Sequence, residues 1–407
     1  MRRSFDESAL RILSKIHYMV GDAETVKLMP EVPALGPFAE STLSFLATMS
    51  KELRSIPEAK AYPDVITLGF WLRRASLNRL KERFAFHDNN IHMGRGLAFH
   101  IAPSNVPVNY AYSLVTGLIT GNANIIRIPS KSFPQVDIIN EAICRALAQH
   151  EGLRPYISLV RYDREKEIND LLSSIADVRV VWGGDATIAD IRRSPMPPRA
   201  VEVAFADRFS FAVIDSVAYL AMEDKQRVAK DFYNDTFLTD QNACTSPRLV
   251  VWIGSKKEEA KEEFWNALHN LVKKEYGFQA IMGINKLTSS CLSAIHMDGI
   301  SPEPPSDNLI VRVKVPKVTP QLIELRDNSG FFFEYDCENV LDLKELCEDT
   351  RVQTIGIIGS NKILTPLVQS GIKGVDRIVP VGKTMDFCLI WDGYNLVEKL
   401  TRTIHIV

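Results

Sequence analysis

The residue best suited to covalent chemistry is Cys244, in the polar loop DQNACTS (240–246) between a predicted helix and a predicted strand. A thiolate can attack an activated acyl carbonyl, and acyl transfer from one sulfur to another is nearly thermoneutral. Most lone cysteines are instead small buried hydrophobic residues. That second interpretation applies to the other five cysteines, at positions 144, 291, 337, 347 and 388. The local sequence around Cys244 leaves both interpretations open.

A second candidate is Asn105, in the turn SNVP (104–107) that follows a predicted strand. Its side-chain amide could donate a hydrogen bond to an oxyanion, and one such donor is typically worth about 3 kcal/mol in a transition state. An asparagine between two prolines is also typical of an ordinary turn. On local sequence alone, the turn interpretation is favoured.

Two glycines, Gly183 and Gly184, follow a predicted buried strand and precede a short helix. Small residues there let a helix N-terminus approach a phosphate, but many β–α turns contain glycine and no GxGxxG is present. Arg127 and Lys131 bracket Pro129 at the end of another predicted strand. They could bind a phosphate or be solvated surface charges, which is the commoner case for such residues.

The composition is that of a soluble globular protein, with 46% hydrophobic and 24% charged residues and a formal net charge of −2. No basic excess indicates nucleic-acid binding, and no cysteine or histidine cluster has zinc spacing, so we predict no metal site. The apolar stretch 110–128 contains too many polar residues for a membrane span. The N-terminus does not resemble a secretory signal, and we expect a cytoplasmic protein with reduced thiols.

Strands and helices are predicted to alternate, which indicates a mostly parallel sheet covered by helices. The helix that follows Ser132 and the helix that follows Ser255 each have a predicted N-cap, the second with Glu258 in a capping box. The predicted strands are 97–102, 124–128, 178–182, 249–253, 352–358 and the terminal segment 400–407; the predicted helices are 108–119, 132–152, one from about 185, 224–238 and 255–277.

Four segments stand in an order that resembles the aldehyde dehydrogenase superfamily: IAPSNVP (101–107), GNANIIRIPSK (121–131), VWGGD (181–185) and DQNACTSPRLVVW (240–252). With GVDRIVPVGKTMDFCLIWDG (374–393), the chain looks most like the acyl-CoA reductases of the LuxC type, which supply aldehyde for bacterial bioluminescence. The resemblance implies an α/β, aldehyde dehydrogenase-like fold. It implies a doubly wound parallel-sheet nucleotide-binding domain at 1–215, a smaller α/β catalytic domain at 216–378, and a return segment with a terminal oligomerisation strand at 379–407.

The same resemblance assigns roles to the candidate residues. Cys244 matches the nucleophile, and Asn105 matches the asparagine that stabilises the oxyanion together with the Cys244 backbone amide. Where the family often has a glutamate that disfavours a 2′-phosphate, this chain has Lys131, so the expected cofactor is NADPH. The residues expected to bind it are Ala102, Pro103, Ser104, Arg127, Lys131, Gly183 and Gly184.

Two family motifs are missing. Hydrolytic aldehyde dehydrogenases carry a base glutamate in E-L-G-G-K, but here the corresponding stretch is VAFADRF (203–209), with Ala204 or Phe205 near that position. Glu202 is the nearest carboxylate, and strand alternation could point it away. The cofactor motif E-x-F-G-P is not recognisable either, and GFFFEYD (330–336) lies nearby.

Without a base to activate water, the acyl-enzyme should resist hydrolysis, which favours thioester reduction over aldehyde oxidation. We therefore expect NADPH-dependent reduction of an acyl-CoA or acyl-protein thioester to an aldehyde, by a homo-oligomer that could work with an acyl-protein synthetase. The alternatives are a reductase of acyl phosphates or a semialdehyde dehydrogenase of the same superfamily, and a non-catalytic acyl-carrying scaffold.

Overall fold

The computed structural model describes residues 5–103, 106–302 and 307–407. The chain forms two compact units. The first unit comprises residues 1–206 and 387–407, and the second comprises residues 207–386. The sequence analysis placed its boundaries at 215 and 378, so the strand over 209–215 was assigned to the first domain and residues 379–386 to the return segment. In the structure both segments belong to the second unit.

Strands and helices alternate along most of the chain. The strands are β1 (His17–Val20), β2 (Ile91–Gly94), β3 (Leu97–Ile101), β4 (Ala123–Arg127), β5 (Ile157–Arg161), β6 (Val178–Trp182), β7 (Val201–Phe205), β8 (Phe209–Asp215), β9 (Pro247–Ile253), β10 (Ser301–Pro302), β11 (Val311–Lys314), β12 (Phe331–Asp336), β13 (Val352–Ile358), β14 (Arg377–Pro380), β15 (Ile390–Trp391), β16 (Tyr394–Asn395) and β17 (Thr401–Ile404).

The α-helices are α1 (Glu7–Leu13), α2 (Ala23–Leu28), α3 (Glu40–Ser55), α4 (Pro63–Trp71), α5 (Arg74–Arg83), α6 (Asn109–Ile119), α7 (Pro134–Gln149), α8 (Lys166–Ile175), α9 (Asp185–Ile191), α10 (Ser216–Leu220), α11 (Lys225–Asp235), α12 (Lys257–Glu275), α13 (Ala280–His296), α14 (Gln321–Glu324), α15 (Lys344–Cys347), α16 (Thr365–Gln369) and α17 (Leu396–Leu400). Short 3-10 helices lie at Met29–Glu31, Pro57–Ala61, Glu151–Tyr156, Phe237–Thr239, Val340–Leu343 and Asn361–Leu364. In the part of the chain that the structure describes, no helix is long and apolar enough to cross a bilayer.

The first unit is built on a six-stranded sheet of order β1-β5-β4-β3-β6-β7, in which only β1 runs antiparallel to its neighbour. The chain goes from β3 outward through β4 to β5, then crosses back to β6 and continues to β7. Side chains of β3 alternate between two apolar clusters, with Phe99 in one and Ala98 in the other. Both faces of the sheet are therefore covered, and the order of the strands reverses between β3 and β6.

The start of α7 differs from the prediction. The residue that precedes the helix is Phe133, whose side chain makes no capping hydrogen bond, and Pro134 occupies the first turn. Ser132 is therefore not the cap. Proline is well suited to this position because it has no N–H to leave unsatisfied and its φ is already helical.

The second unit contains a seven-stranded sheet of order β10-β11-β12-β9-β8-β13-β14. β8, β9, β12 and β13 are almost entirely buried. Adjacent residues of β9 enter different clusters, with Val251 on one face of the sheet and Trp252 on the other. β8 joins this sheet because it pairs with β9 and β13, two strands that lie far from it in the sequence. Such non-local pairing explains why sequence patterns placed the boundary late.

The predicted capping box of α12 is wrong. The cap residue is Lys256, and it makes no side-chain capping bond. Its backbone N–H donates to the Ser216 hydroxyl at 3.3 Å, and Glu258 instead forms an ion pair with Lys261 at 2.8 Å. Contacts with α10 and within α12 thus replace the local cap that the sequence suggested.

The terminal strand is shorter than predicted. Leu400 ends α17, and β17 begins at Thr401. β17 pairs antiparallel with β2, from Thr401 opposite Gly94 to Ile404 opposite Ile91, in a two-stranded sheet of its own.

Candidate functional site

The loop that carries Cys244 is held by its own backbone and by Gln241. Asp240 and Gln241 both have left-handed backbone conformations, with φ of 51° and 55°. The buried Gln241 amide donates to the Pro247 carbonyl at 3.0 Å and accepts the Gly330 N–H at 2.6 Å. Arg248 donates to the Gln241 carbonyl. Two consecutive strained residues with this many partners indicate a loop with one defined shape.

Cys244 is half-buried, and two side chains from other strands contact it. The Ser210 hydroxyl of β8 donates to the Cys244 carbonyl at 2.7 Å, and Ser210 in turn accepts the Thr354 N–H at 3.2 Å. The amide of Gln353 on β13 lies 3.7 Å from the Cys244 sulfur, in donor geometry. A donor at the sulfur favours its thiolate form, which is the nucleophilic one.

A buried cation lies within electrostatic range of the same sulfur. Arg248, four residues after Cys244, is 7% exposed. Burial lowers the pKa of Arg248 to about 10, while the negative charge of the Cys244 thiolate acts in the opposite direction. The interaction is mutual, so the guanidinium also favours the thiolate.

The other cysteines have different surroundings. Burial raises the pKa of Cys337 and that of Cys347 to about 12, and burial also raises the pKa of the Cys144 thiol. Cys291 and Cys144 are exposed on helices, and none of the six forms a disulfide. Cys337 and Cys347 are hydrophobic core residues, as the sequence analysis predicted. The same prediction was wrong for Cys144 and Cys291, which are exposed, and for Cys388, which is half-buried.

The segment after β14 packs beside the loop that carries Cys244. The Thr245 hydroxyl lies 3.2 Å from the Met385 sulfur. Asp235, at the end of α11, accepts the N–H groups of Gly382 at 2.6 Å and Thr384 at 3.2 Å. Burial raises the pKa of Asp235 to about 7, although these N–H donors oppose the shift. The loop that follows β14 is therefore held in part by one buried carboxyl group.

Sequence reasoning missed Ser210, Gln353 and Asp235. One signal was available for Gln353, because it is a polar residue in the otherwise apolar strand VQTIGII (352–358). Arg248 lies within the quoted segment around Cys244 but was not assigned a role. The hydrogen bonds of Ser210 and Gln353 join strands far apart in sequence, so no local spacing could reveal them.

The predicted cofactor residues meet at one edge of the first sheet. Ala102 and Pro103 follow β3, Arg127 ends β4, and Gly183 follows β6. Since β3, β4 and β6 are parallel neighbours, their carboxyl ends lie side by side. The strand order reverses between β3 and β6, and ligands of open α/β sheets bind in the crevice at such a point. Ser104 and Asn105 lie outside the described residues.

Arg127 and Lys131 differ in how freely they can bind a ligand. The Arg127 guanidinium donates to the carbonyls of Tyr162 and Asp163 at 3.3 and 3.4 Å and stacks 4.7 Å from the Tyr162 ring. Lys131 is exposed, and its ammonium lies 5.1 Å from the Phe133 ring. Arg127 thus has a structural role in joining β4 to the end of β5, whereas Lys131 can contact an approaching anion.

The glycine pair is open on one side. Gly183 donates its N–H to the Phe205 carbonyl at 3.0 Å, which attaches it to β7. Gly184 is exposed and caps α9, and a side chain added there would meet no atom within 4 Å. At Gly183 an added Cβ would lie 3.0 Å from the Thr187 methyl group. Gly184 therefore borders open space, whereas Gly183 is packed against Thr187.

Glu202 and Glu334 are the carboxylates in or beside the stretches that correspond to the two missing family motifs, and both already accept hydrogen bonds from other side chains. Glu202 accepts from Arg179 at 2.8 Å and from Arg192 at 2.7 Å. Glu334 is 1% exposed and accepts the indole N–H groups of Trp252 and Trp265, each at 2.7 Å. Burial raises the pKa of Glu334. Glu202 and Glu334 therefore stabilise their own units through these contacts.

The structure places Cys244 in the second unit and the predicted cofactor residues in the first. The fold resembles those of solved aldehyde dehydrogenases. A benzaldehyde dehydrogenase from Corynebacterium glutamicum has a TM-score of 0.63 at 14% identity, with 94% of this chain and 88% of that chain covered. An NADP-dependent glyceraldehyde-3-phosphate dehydrogenase from Bacillus halodurans has a TM-score of 0.60 at 13% identity, with 90% and 85% covered. The α/β, aldehyde dehydrogenase-like fold that the sequence predicted is thus confirmed.

Among curated proteins, the chain is similar to long-chain acyl-protein thioester reductases. The one from Photorhabdus luminescens is 23% identical over 328 residues, which cover 76% of this chain and 63% of the relative. The one from Vibrio harveyi is 24% identical over 333 residues, which cover 77% and 64%. The chain therefore spans somewhat less than two thirds of these relatives.

The family model "Acyl-CoA reductase (LuxC)" matches residues 65–277, which is more than half of the chain and includes Cys244, Lys131 and the glycine pair. This match agrees with the resemblance stated from the sequence motifs. The chain belongs to the LuxC family of acyl-CoA reductases.

Proposed function

We propose that this chain reduces an acyl thioester to an aldehyde, with NADPH as reductant and an acyl-enzyme on Cys244. The observation that carries the proposal is the setting of Cys244: a half-buried thiol with the Gln353 amide at 3.7 Å and a buried arginine nearby. Family membership and the names of the curated relatives support the same reaction class.

The residues at the edge of the first sheet fit a dinucleotide phosphate. Gly184 leaves open space at the start of α9, and the Lys131 ammonium is exposed near the end of the neighbouring strand. In this proposal Gly183 and Gly184 face the pyrophosphate, Ala102, Pro103 and Ser104 line the crevice, and Lys131 pairs with the 2′-phosphate. Arg127 supports this edge through its contacts with Tyr162. When bound, NADPH would supply the hydride equivalent that the reduction consumes.

In the proposed acylation step, the Cys244 thiolate attacks the carbonyl carbon of the thioester. A new carbon–sulfur bond forms, and the donor thiol leaves with its bonding electrons and takes up a proton. The oxyanion accepts hydrogen bonds from Asn105 and from the Cys244 backbone N–H. Gln353 and Arg248 stabilise the thiolate before the attack and again when the aldehyde is released, because both act on the sulfur.

The fate of the acyl-enzyme depends on whether a base can activate water. Glu202 is the carboxylate closest in sequence to the missing base, and its two oxygens accept from Arg179 and Arg192. Both oxygens are therefore occupied as hydrogen-bond acceptors, and they are directed at guanidinium groups rather than at a water molecule that could attack the acyl group. This supports an acyl-enzyme that persists until it is reduced or transferred to another thiol.

The test is steady-state oxidation of NADPH by the full chain with acyl-CoA substrates of graded chain length, with the products identified by mass spectrometry. We expect aldehyde and free CoA in equal amounts. Formation of free acid without oxidation of NADPH would contradict the proposal, and turnover with an acyl phosphate in place of the thioester would favour the alternative substrate class.

For the physiological setting, we propose that the acyl donor is an acyl-CoA or acyl-protein thioester and that an acyl-protein synthetase supplies the acyl-protein form. We also propose that the enzyme is cytoplasmic and homo-oligomeric.

The terminal strand β17 is suited to an oligomer contact. It pairs with β2 along one edge, and its other edge could extend a sheet of a second copy. Removing residues 402–407 should reduce the number of chains in the assembly, as determined from its mass by light scattering. An unchanged mass would contradict this role of the strand.

A further inference from the structure

Helix α13 (Ala280–His296) has its apolar side chains on the outside and its polar ones on the inside. Ile281, Ile284, Leu287, Leu292 and Ile295 are between 43% and 74% exposed, whereas the buried residues of the helix are Lys286, Ser290 and Ser293. A surface helix normally has the opposite arrangement, with its apolar stripe toward the core.

Polar contacts fix this orientation. The Lys286 ammonium donates to the carbonyls of Asn308, Leu309 and Ser329, the last two at 3.0 and 2.8 Å. Ser289 donates to the Asp327 carboxylate at 2.7 Å. Turning the apolar face inward would expose these groups and leave the three carbonyls without the Lys286 donor, at a cost of several hydrogen bonds. The apolar face therefore stays outward.

The spacing of the stripe is symmetric. Ile281, Ile284, Thr288, Leu292 and Ile295 are separated by three, four, four and three residues, and at about 100° per residue they lie within about 80° on the helix surface. Thr288 is at the centre. A second α13 placed antiparallel across a two-fold axis at Thr288 would bring Ile284 opposite Leu292 and Ile281 opposite Ile295.

We infer that α13 is the centre of an isologous interface with a second copy of this chain. A two-fold interface requires a self-complementary surface, and a palindromic apolar stripe without charged residues meets that requirement. The two helix dipoles also oppose each other in this arrangement, which is favourable. The inference concerns assembly and does not depend on the proposed reaction.

The extent of the stripe is suitable for such an interface. A helix of 17 residues is about 26 Å long, so pairing along its length would supply a large part of the roughly 800 Å² that each partner of a standard interface buries. Leu287 and Cys291 flank the stripe and are exposed as well.

A bilayer surface fits α13 less well. Helices that lie in a membrane interface carry lysine and arginine on their polar face. The only lysine of α13 is Lys286, which is buried and bound to three carbonyls. A convex apolar helix also differs from the concave pockets that enclose small ligands.

The first test is the mass of the full chain at micromolar concentration, measured by light scattering for the wild type and for Ile284→Glu/Leu292→Glu. Both side chains are exposed, so circular dichroism should be unchanged while the mass falls twofold. Val217→Glu removes another side chain that is 49% exposed and should keep the wild-type mass. A monomeric wild type, or a double variant with the wild-type mass, would overturn the inference.

The second test is disulfide cross-linking in a Cys291→Ser background. At an interaxial distance of 8–10 Å, facing Cα atoms on two helices are about 3.4–5.4 Å apart, and a disulfide can span the upper part of this range. Thr288→Cys should therefore link two copies, and Ala294→Cys, exposed about 120° away on the helix surface, should not. Equal linking at both positions would contradict the geometry, and flotation of the wild type with phosphatidylcholine vesicles would assign the face to a bilayer instead.

Discussion

The loop that carries Cys244 and the strand that carries Glu202 hold their reactive groups in opposite ways. Cys244 is half-buried with an amide donor 3.7 Å from its sulfur, and its backbone rather than its thiol is fixed by Ser210. Glu202 has its carboxylate fixed by Arg179 and Arg192. The first arrangement holds the backbone beside a half-buried thiol, whereas the second engages both carboxylate oxygens.

This difference gives a physical reason for a reductase rather than a hydrolase in the proposed function. Acylation requires a reachable thiolate, whereas hydrolysis requires a carboxylate able to take a proton from water. Substitutions at Cys244 or Glu202, or at residues near them, should therefore have effects of different kinds, with the largest effect on activity at Cys244.

Replacing Cys244 by serine should have the largest effect. A hydroxyl group is a much weaker nucleophile than a thiolate near neutral pH, so NADPH oxidation with acyl-CoA should fall by about 10³-fold or more. Cys347→Ser is a control at a core cysteine, and should lower stability without removing activity from the folded protein. Normal turnover by Cys244→Ser would exclude Cys244 as the nucleophile.

Asn105→Ala should lower kcat by about 10²-fold, because one oxyanion donor is lost. The unfolding temperature should change little if Asn105 serves the transition state. A large loss of stability with near-normal turnover would instead support the interpretation of Asn105 as an ordinary turn residue.

Lys131→Glu should shift the cofactor preference toward NADH, by about tenfold or more in the ratio of kcat/KM values, since a carboxylate repels the 2′-phosphate. Lys51→Glu, at an exposed position on α3, is a control for the change in net charge. Equal use of NADPH and NADH by the wild type would contradict the role assigned to Lys131.

Glu202→Gln should destabilise the first unit by about 1–3 kcal/mol, because the largely buried Arg179 would lose its charged partner. The ratio of aldehyde to acid produced should stay the same. Chemical denaturation gives the first quantity and product analysis the second. A change in the ratio of aldehyde to acid, in either direction, would show that Glu202 takes part in the chemistry.

Gln353→Leu should lower the rate of Cys244 alkylation by iodoacetamide at neutral pH about 3- to 10-fold, since one donor to the sulfur is removed at nearly constant volume. Gln369→Leu removes an exposed amide in the same unit and should leave the rate unchanged. An unchanged rate in Gln353→Leu would mean that the contact has no influence on the thiolate.

Strands rich in valine and isoleucine were the easiest to predict. β6 and β13 have the predicted bounds, 178–182 and 352–358, and β4 begins one residue early. The cap predicted at Ser132 was wrong because Phe133 precedes the helix and Pro134 occupies its first turn. The cap predicted at Ser255 was wrong because Ser216 binds the Lys256 N–H and Glu258 pairs with Lys261. Sequence analysis placed no element over α13, whose inverted pattern has its reason in Lys286 and the carbonyls of residues 308, 309 and 329.

The residues of the candidate site also fall into those that the sequence revealed and those that only the structure revealed. Cys244, Lys131 and the glycine pair were found because they lie in short motifs that resemble a family. Gln353 is 109 residues from Cys244 and Ser210 is 34 residues from it, so only the pairing of β8 with β9 and β13 brings them to the same place. Residues that contact Cys244 from other strands can be identified only from the tertiary structure.

The most direct test of the central claim is the mass of the intact protein after incubation with acyl-CoA in the absence of NADPH, followed by peptide mapping. The proposed function predicts one acyl group per chain, on the peptide that contains Cys244, which remains bound in water and is released as aldehyde when NADPH is added. Rapid release of free acid, or an acyl group on any other residue, would contradict it.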